Sequence, residues 1–184
     1  MRLIDLMAIY SRLSDHFGQG KWWPAESRFE VMVGAILTQQ TTWRNVARAI
    51  ENLKDRRLLS VDALAAAPPE IIEECVRPSG FFRQKADRIK RLAEHLLAGY
   101  KGDLNVFFER DLGIIRNELL SFSGIGQETA DSILLYAGDK PKFVVDAYTF
   151  RIFSRLGMDF NRKYEEAQKF FEDRVQPDVK VYKN

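Results

Sequence analysis

Apolar residues recur three and four positions apart along almost the whole chain: Leu3, Leu6, Met7, Tyr10 and Leu13; Phe29, Val33, Ile36 and Leu37; Ile89, Leu92 and Leu96; Ala130, Ile133, Leu134 and Ala137. That spacing draws one apolar stripe along a helix. Turn-forming clusters separate the stripes, among them GQGKWWP (Gly18 to Pro24), APP (Ala67 to Pro69), RPSG (Arg77 to Gly80), YKGD (Tyr100 to Asp103) and GDKPK (Gly138 to Lys142). Only KFVV (Lys142 to Val145) looks strand-like, and it is too short to found a sheet. The pattern predicts an all-α protein of about ten short helices, with no low-complexity linker and no long internal repeat.

Composition narrows this only a little. At 184 residues, 46% hydrophobic, the chain can bury one substantial core or two small lobes. The formal charge of +2 neither demands a nucleic-acid partner nor excludes one. A single cysteine, Cys75, rules out an internal disulfide, a multi-cysteine zinc site and a four-cysteine iron–sulfur cluster within the chain, and suits a reduced setting. The N-terminal stretch reads as an amphipathic helix rather than a signal peptide, and no apolar run approaches a bilayer's thickness, so a soluble protein of the cytoplasm is expected.

Local clustering says more. Arg77, Arg83, Lys85, Arg88, Lys90, Arg91 and Lys101 crowd one region, either as a solvated helix face or as a surface that meets phosphates. Further on, RNELL closes one helix, SFSGIG turns, and QETADSILLYA opens another. Gly124 and Gly126 permit left-handed or closely approached backbone, and the free amides at the start of the next helix can seat an anion. A tight turn between helices with no ligand fits the glycines alone equally well.

The wider context LLSFSGIGQETADSILLYA followed by FVVDAYTFRIFSRLG resembles the helix-hairpin-helix and aspartate signature of the endonuclease III (HhH-GPD) superfamily of DNA glycosylases. Resemblance extends over nearly the whole chain. GAILTQQTTWRNV is similar to the family's early helix and loop, while KWWPAESRFEVMVGAILTQQT and ECVRPSGFFRQKADRI look closest to the bacterial 3-methyladenine DNA glycosylase III branch. The likeness implies two helical lobes about a DNA-binding cleft: residues 26–130 with the hairpin (about 112–137), and residues 1–25 with 131–184 carrying the catalytic carboxylate. It also implies double-stranded DNA with a damaged base as partner, and a monomer, with DNA contacts from Gln40, Gly124, Ile125, Gly126, Gln127 and Thr129. A monovalent cation would sit on the carbonyls of Leu120, Phe122 and Ile125, with no other cofactor.

Glycosylase chemistry makes particular demands. As the base leaves, the sugar approaches an oxocarbenium ion, so a fixed carboxylate can stabilise the charge and orient water; Asp146 matches the family's position, though VVDAYTF also reads as a plain helix start capped by Asp146. Relatives that also cut the strand carry a lysine two residues after the second hairpin glycine. Glu128 stands there and cannot form the imine, which predicts a monofunctional enzyme. The rivals are a bifunctional glycosylase and lyase for oxidised pyrimidines, and a noncatalytic DNA-binding module. Trp22, Trp23, Pro24 and Trp43, with Glu128, are the expected walls of a pocket for a cationic alkylated base, against ordinary core packing as the alternative. His16 and His95 lack the partners of a metal site. The chain also ends before the family's last long helix, which leads us to expect an exposed apolar groove.

Overall fold

The structure, a computed structural model, describes residues 5–18, 23–158 and 160–184. Leu3 and Trp22 lie outside the described residues. Among those described, twelve α-helices follow one another: α1 (Leu6–Phe17), α2 (Arg28–Leu37), α3 (Trp43–Asp55), α4 (Val61–Ala66), α5 (Pro69–Val76), α6 (Phe82–Tyr100), α7 (Leu104–Glu109), α8 (Leu112–Leu120), α9 (Gln127–Ser132), α10 (Ala147–Arg155), α11 (Tyr164–Glu172) and α12 (Val179–Lys183). The helical reading holds; KFVV forms no strand and runs extended into α10. Ser or Asp side chains cap many helices, including Ser27, Ser60, Asp103, Asp111 and Asp146, each satisfying backbone amides that the first turn leaves free.

Helix α2 explains the main core. Its residues Phe29 to Leu37 are all buried and, Glu30 apart, carry no charge, so it must be surrounded. Helices α3 to α9 supply the surroundings through Val46, Leu53, Leu64, Ile72, Ile89, Leu96, Ile115 and Leu119. A second, smaller core gathers Leu6, Leu135, Val145, Ala167, Phe171, Val175 and Tyr182, with Phe143 stacked on Phe171 at 4.5 Å. The segment Ile133–Ala137 continues α9 as a π-turn, closed by the Gly138 amide on the Ile133 carbonyl at 3.1 Å. Through that wider turn Leu134 enters the first core and Leu135 the second, so one helix serves both.

The two cores also share a buried charge. Asp131 on α9 is fully buried and takes two bonds from Arg116 of α8, at 2.7 and 3.1 Å, with further bonds from Tyr164 at 2.8 Å and Gln168 at 2.7 Å on α11. Burial and the adjoining carboxylate push the Tyr164 phenol well up, so it remains a donor. By contrast, α1 and α10 leave apolar side chains uncovered: Leu13 and Phe17 on the first, Tyr148 and Ile152 on the second, with Leu156 at its C-terminal cap.

Lys85 corrects the reading of a basic face. It is 1% exposed, and its ammonium donates to the Leu37 carbonyl at 2.9 Å and the Ser79 carbonyl at 2.7 Å. It therefore closes the end of α2 and the Arg77–Ser79 turn together, joining the loop after α2 to the loop before α6. Lys90 likewise turns inward, to the carbonyls of Ala65 and Ala67. Burial, helped by the Arg88 charge, lowers the Lys85 pKa to about 8. The unfolded chain, with an ordinary lysine pKa, then binds more protons than the folded one between pH 8 and about 10.5. We expect the stability difference between wild type and Lys85→Met, from urea unfolding, to shift towards wild type as pH rises through that window and to be flat below it. A difference that stays constant to pH 10 would contradict the assignment.

Candidate active site

The hairpin forms where the sequence places it. Helix α8 ends at Leu120, the Ile125 amide closes the turn on the Phe122 carbonyl at 3.0 Å, and Gly126 caps α9. Gly124 has φ +86°, a conformation in which a side chain is strained. A Cβ there would also lie 2.0 Å from Nε of Arg88, whose guanidinium rests on the glycine. Gly126 has φ −89° and open space where a side chain would go. The Leu120 carbonyl belongs to the last turn of α8, which has no intrahelical donor, and the Phe122 carbonyl keeps a second lone pair beside its bond to Ile125. The carbonyl set is thus chemically suited to a small cation.

Not every residue expected at DNA faces outward. The Ile125 side chain is buried in the main core, leaving its backbone to the hairpin surface. Thr129 is 7% exposed and its hydroxyl accepts from Gln39 at 3.0 Å, while Gln127 donates to Glu165 at 2.6 Å. Gln39 also donates to the Gly124 carbonyl at 2.9 Å and accepts from Arg88 at 2.7 Å. With its neighbour fixed in this way, Gln40 stands exposed on left-handed backbone, φ 53°. Phe81 is also left-handed, at φ 46°, and 60% exposed; it begins α6 in the loop that Lys85 ties to that of Gln40.

Asp146 occupies the cap of α10, as one of its two sequence readings requires. Oδ1 accepts from the Thr149 amide at 2.7 Å and its hydroxyl at 2.9 Å. Both bonds engage Oδ1, so the cap aims the carboxylate without using the second oxygen. Glu128, in the first turn of α9, lies close by. Desolvation by the surrounding walls raises its pKa, and the Asp146 charge adds to the effect, although the side chain keeps contact with solvent. The same two causes push Tyr136 up to about 12.

Tyr136, which feels the Asp146 charge, packs into the aromatic cluster. Its ring lies 5.3 Å from Trp23, which meets Trp43 edge-on at 5.7 Å. Trp23 also packs on Gly34, where a Cβ would come within 3.2 Å of the indole. Trp23, Pro24 and Trp43 line a cavity of about 400 Å³ with Glu26, Glu30, Glu51 and Lys54. Glu128 and Asp146 do not line it. Trp43, 43% exposed, is at the cavity mouth rather than in a core. Sequence reasoning missed Tyr136, Gln39 and Asp131, and named Arg88 only as part of the basic cluster. Only Asp131 carried a signal, as a carboxylate set among the apolar positions Ala130, Ile133 and Leu134.

Residues 33–177 match the profile of the HhH-GPD superfamily base excision DNA repair protein. A protein of Methanocaldococcus jannaschii, provisionally named a DNA repair glycosylase, is 47% identical over 95% of this chain and 80% of its own length. Endonuclease III of Thermotoga maritima is 32% identical over 77% of this chain and 62% of its own. Among solved structures, the 3-methyladenine DNA glycosylase of H. pylori bound to 1,N6-ethenoadenine superposes with a TM-score of 0.86 at 31% identity, covering 98% of this chain and 93% of that one.

The two hairpin glycines should respond differently to alanine. Gly124→Ala adds left-handed strain and displaces Arg88, an expected loss of about 1–3 kcal/mol of stability. Gly126→Ala should stay within about 0.5 kcal/mol of wild type. Urea unfolding of both variants checks this, and equal losses would contradict it.

Proposed function

Because the chain belongs to the HhH-GPD superfamily of base excision DNA repair glycosylases, we propose that it is a monofunctional DNA glycosylase that releases alkylated bases of the 3-methyladenine type from duplex DNA. The observation that carries this reading is the packing of Tyr136 on Trp23, and of Trp23 on Trp43, within reach of the Asp146 charge. A purine methylated at N3 or N7 carries positive charge, which aromatic faces favour. Glu26, Glu30 and Glu51 at the cavity add negative potential, partly offset by Lys54, which pairs with Glu26 at 2.9 Å and Glu30 at 3.0 Å. The likeness to the H. pylori enzyme supports the same substrate class.

In this mechanism the extruded base stacks against the tryptophans, and Gln40 fills the space the base leaves in the duplex. The bond from C1′ to the base breaks, and its electron pair departs with the base, neutralising the alkylated ring. Asp146 faces the developing oxocarbenium charge and takes a proton from the water that attacks C1′, leaving an abasic site. Glu128 offers no amine for imine formation, so the strand stays intact; its charge adds to the field of Asp146. At the hairpin, the open approach at Gly126 suits a DNA phosphate, and the carbonyls of Leu120, Phe122 and Ile125 suit a monovalent cation that neutralises it.

Asparagine caps helices as well as aspartate, so Asp146→Asn should preserve the start of α10. We expect it to lower single-turnover release from methylated duplex DNA at least about a hundredfold, with duplex affinity by fluorescence anisotropy within about twofold. Undiminished release would remove Asp146 from the mechanism.

A further inference from the structure

We propose that one polar stripe of α11, Tyr164, Gln168 and Glu172, is the device that positions the catalytic carboxylate, with Gln168 as its central positioning residue. The inference rests on the assignment of Asp146 above and extends it to residues that touch neither base nor sugar. Positions 164, 168 and 172 are four apart and share one helix face.

Along that face the stripe meets the extended segment 142–145 in reverse order. Glu172 takes the Lys142 ammonium at 3.0 Å and the Phe143 amide at 3.1 Å. Gln168 donates to the Phe143 carbonyl at 2.6 Å. Tyr164 lies 3.5 Å from the Val145 amide, at the limit of a hydrogen bond. Among the described residues the segment has no partner strand, and these side chains satisfy backbone groups that a sheet would otherwise serve. Asp146 follows immediately.

The stripe is itself fixed from the other side. Gln168 is 5% exposed, and the amide that holds Phe143 also donates to Asp131 at 2.7 Å; Tyr164 donates to the same carboxylate oxygen at 2.8 Å. Asp131 belongs to α9, the helix that the hairpin opens and that carries Glu128. A continuous chain of bonds therefore runs from the hairpin helix through Asp131 and Gln168 to the backbone three residues before Asp146. Gln168 suits this role because its amide nitrogen carries two protons, one for each acceptor. Seating a phosphate at the hairpin and aiming the carboxylate at C1′ become one act of placement, and a displacement of about 1 Å at a reacting group can cost about a hundredfold in rate.

The test compares Gln168→Met and Tyr164→Phe with Ile72→Val, a mild change in the main core away from this network. Hydrogen exchange of the Phe143 and Val145 amides is followed together with single-turnover release from methylated duplex DNA and duplex affinity. We expect Gln168→Met to speed exchange at both amides and to lower release about 10- to 100-fold, with affinity within about twofold, while Ile72→Val changes neither exchange at these amides nor release. Tyr164→Phe should give a smaller effect in the same direction, and stands in if Gln168→Met does not fold. Unchanged exchange, or faster exchange with undiminished release, would overturn the inference. Equal losses in Ile72→Val would overturn it too, by showing general destabilisation. The exchange measurement needs no substrate, so a failure of the assigned reaction is told apart from a failure of the positioning.

Discussion

A carboxylate with no access to water has to be met by partners wherever it lies, and the arrangement of this molecule follows from how Asp131 is met. Its charge is balanced by Arg116 from the helix before the hairpin, and its remaining acceptor capacity is filled by Tyr164 and Gln168 from a helix more than thirty residues later. Each partner fixes a different element. An apolar residue at 131 would not by itself require those three elements to meet in one register, whereas loss of any single donor leaves part of the charge unserved. The joint contributes specificity of arrangement more than stability. It holds the hairpin helix between the two cores while the π-turn distributes Leu134 and Leu135 to them.

Lys85 and Arg88, by contrast, are met by carbonyl and amide oxygens. Lys85 gathers two carbonyls from different chain segments, and Arg88 lies on Gly124 with Gln39 as its hydrogen-bond partner. These side chains are used up in holding loops, so what they offer to a ligand is shape: an exposed Gln40, an exposed Phe81 and a bare hairpin backbone. Charge concentrates elsewhere. Asp146 and Glu128 stand close enough for the charge of the first to add to the raised pKa of the second, a repulsion that the fold retains.

The fold class was legible because short amphipathic stripes and turn clusters leave few alternatives, and α2 was recognisable as helical though its complete burial was not. The hairpin's backbone was legible, since two glycines flanking one apolar residue between helical stripes admit few conformations, but its packing by Arg88 and Gln39 was not. Asp146 was readable both as a cap and as a functional group, and the cap is present. What the sequence hid were contacts distant along the chain. Nothing near Lys85 distinguishes it from the exposed Arg83 and Arg91, because its burial depends on carbonyls 48 and 6 residues away. Gln168 sits in a helix that reads as ordinary amphipathic surface, and its meaning comes only from the partners it finds. Of the neighbouring tryptophans, Trp23 joins the aromatic cluster, while Trp22 lies outside the described residues.

The central claim is that these carboxylates and aromatics serve hydrolysis of a glycosidic bond to an alkylated base, with no strand cleavage. The most direct measurement is analysis of both products from wild-type protein on methylated duplex DNA: the free base by chromatography, and strand length with and without alkali. The account requires released methylpurine with breaks only after alkali. Strand breaks without alkali, trapped as a covalent adduct by borohydride, would contradict the monofunctional mechanism, and no released base from a folded, DNA-binding sample would contradict the substrate class.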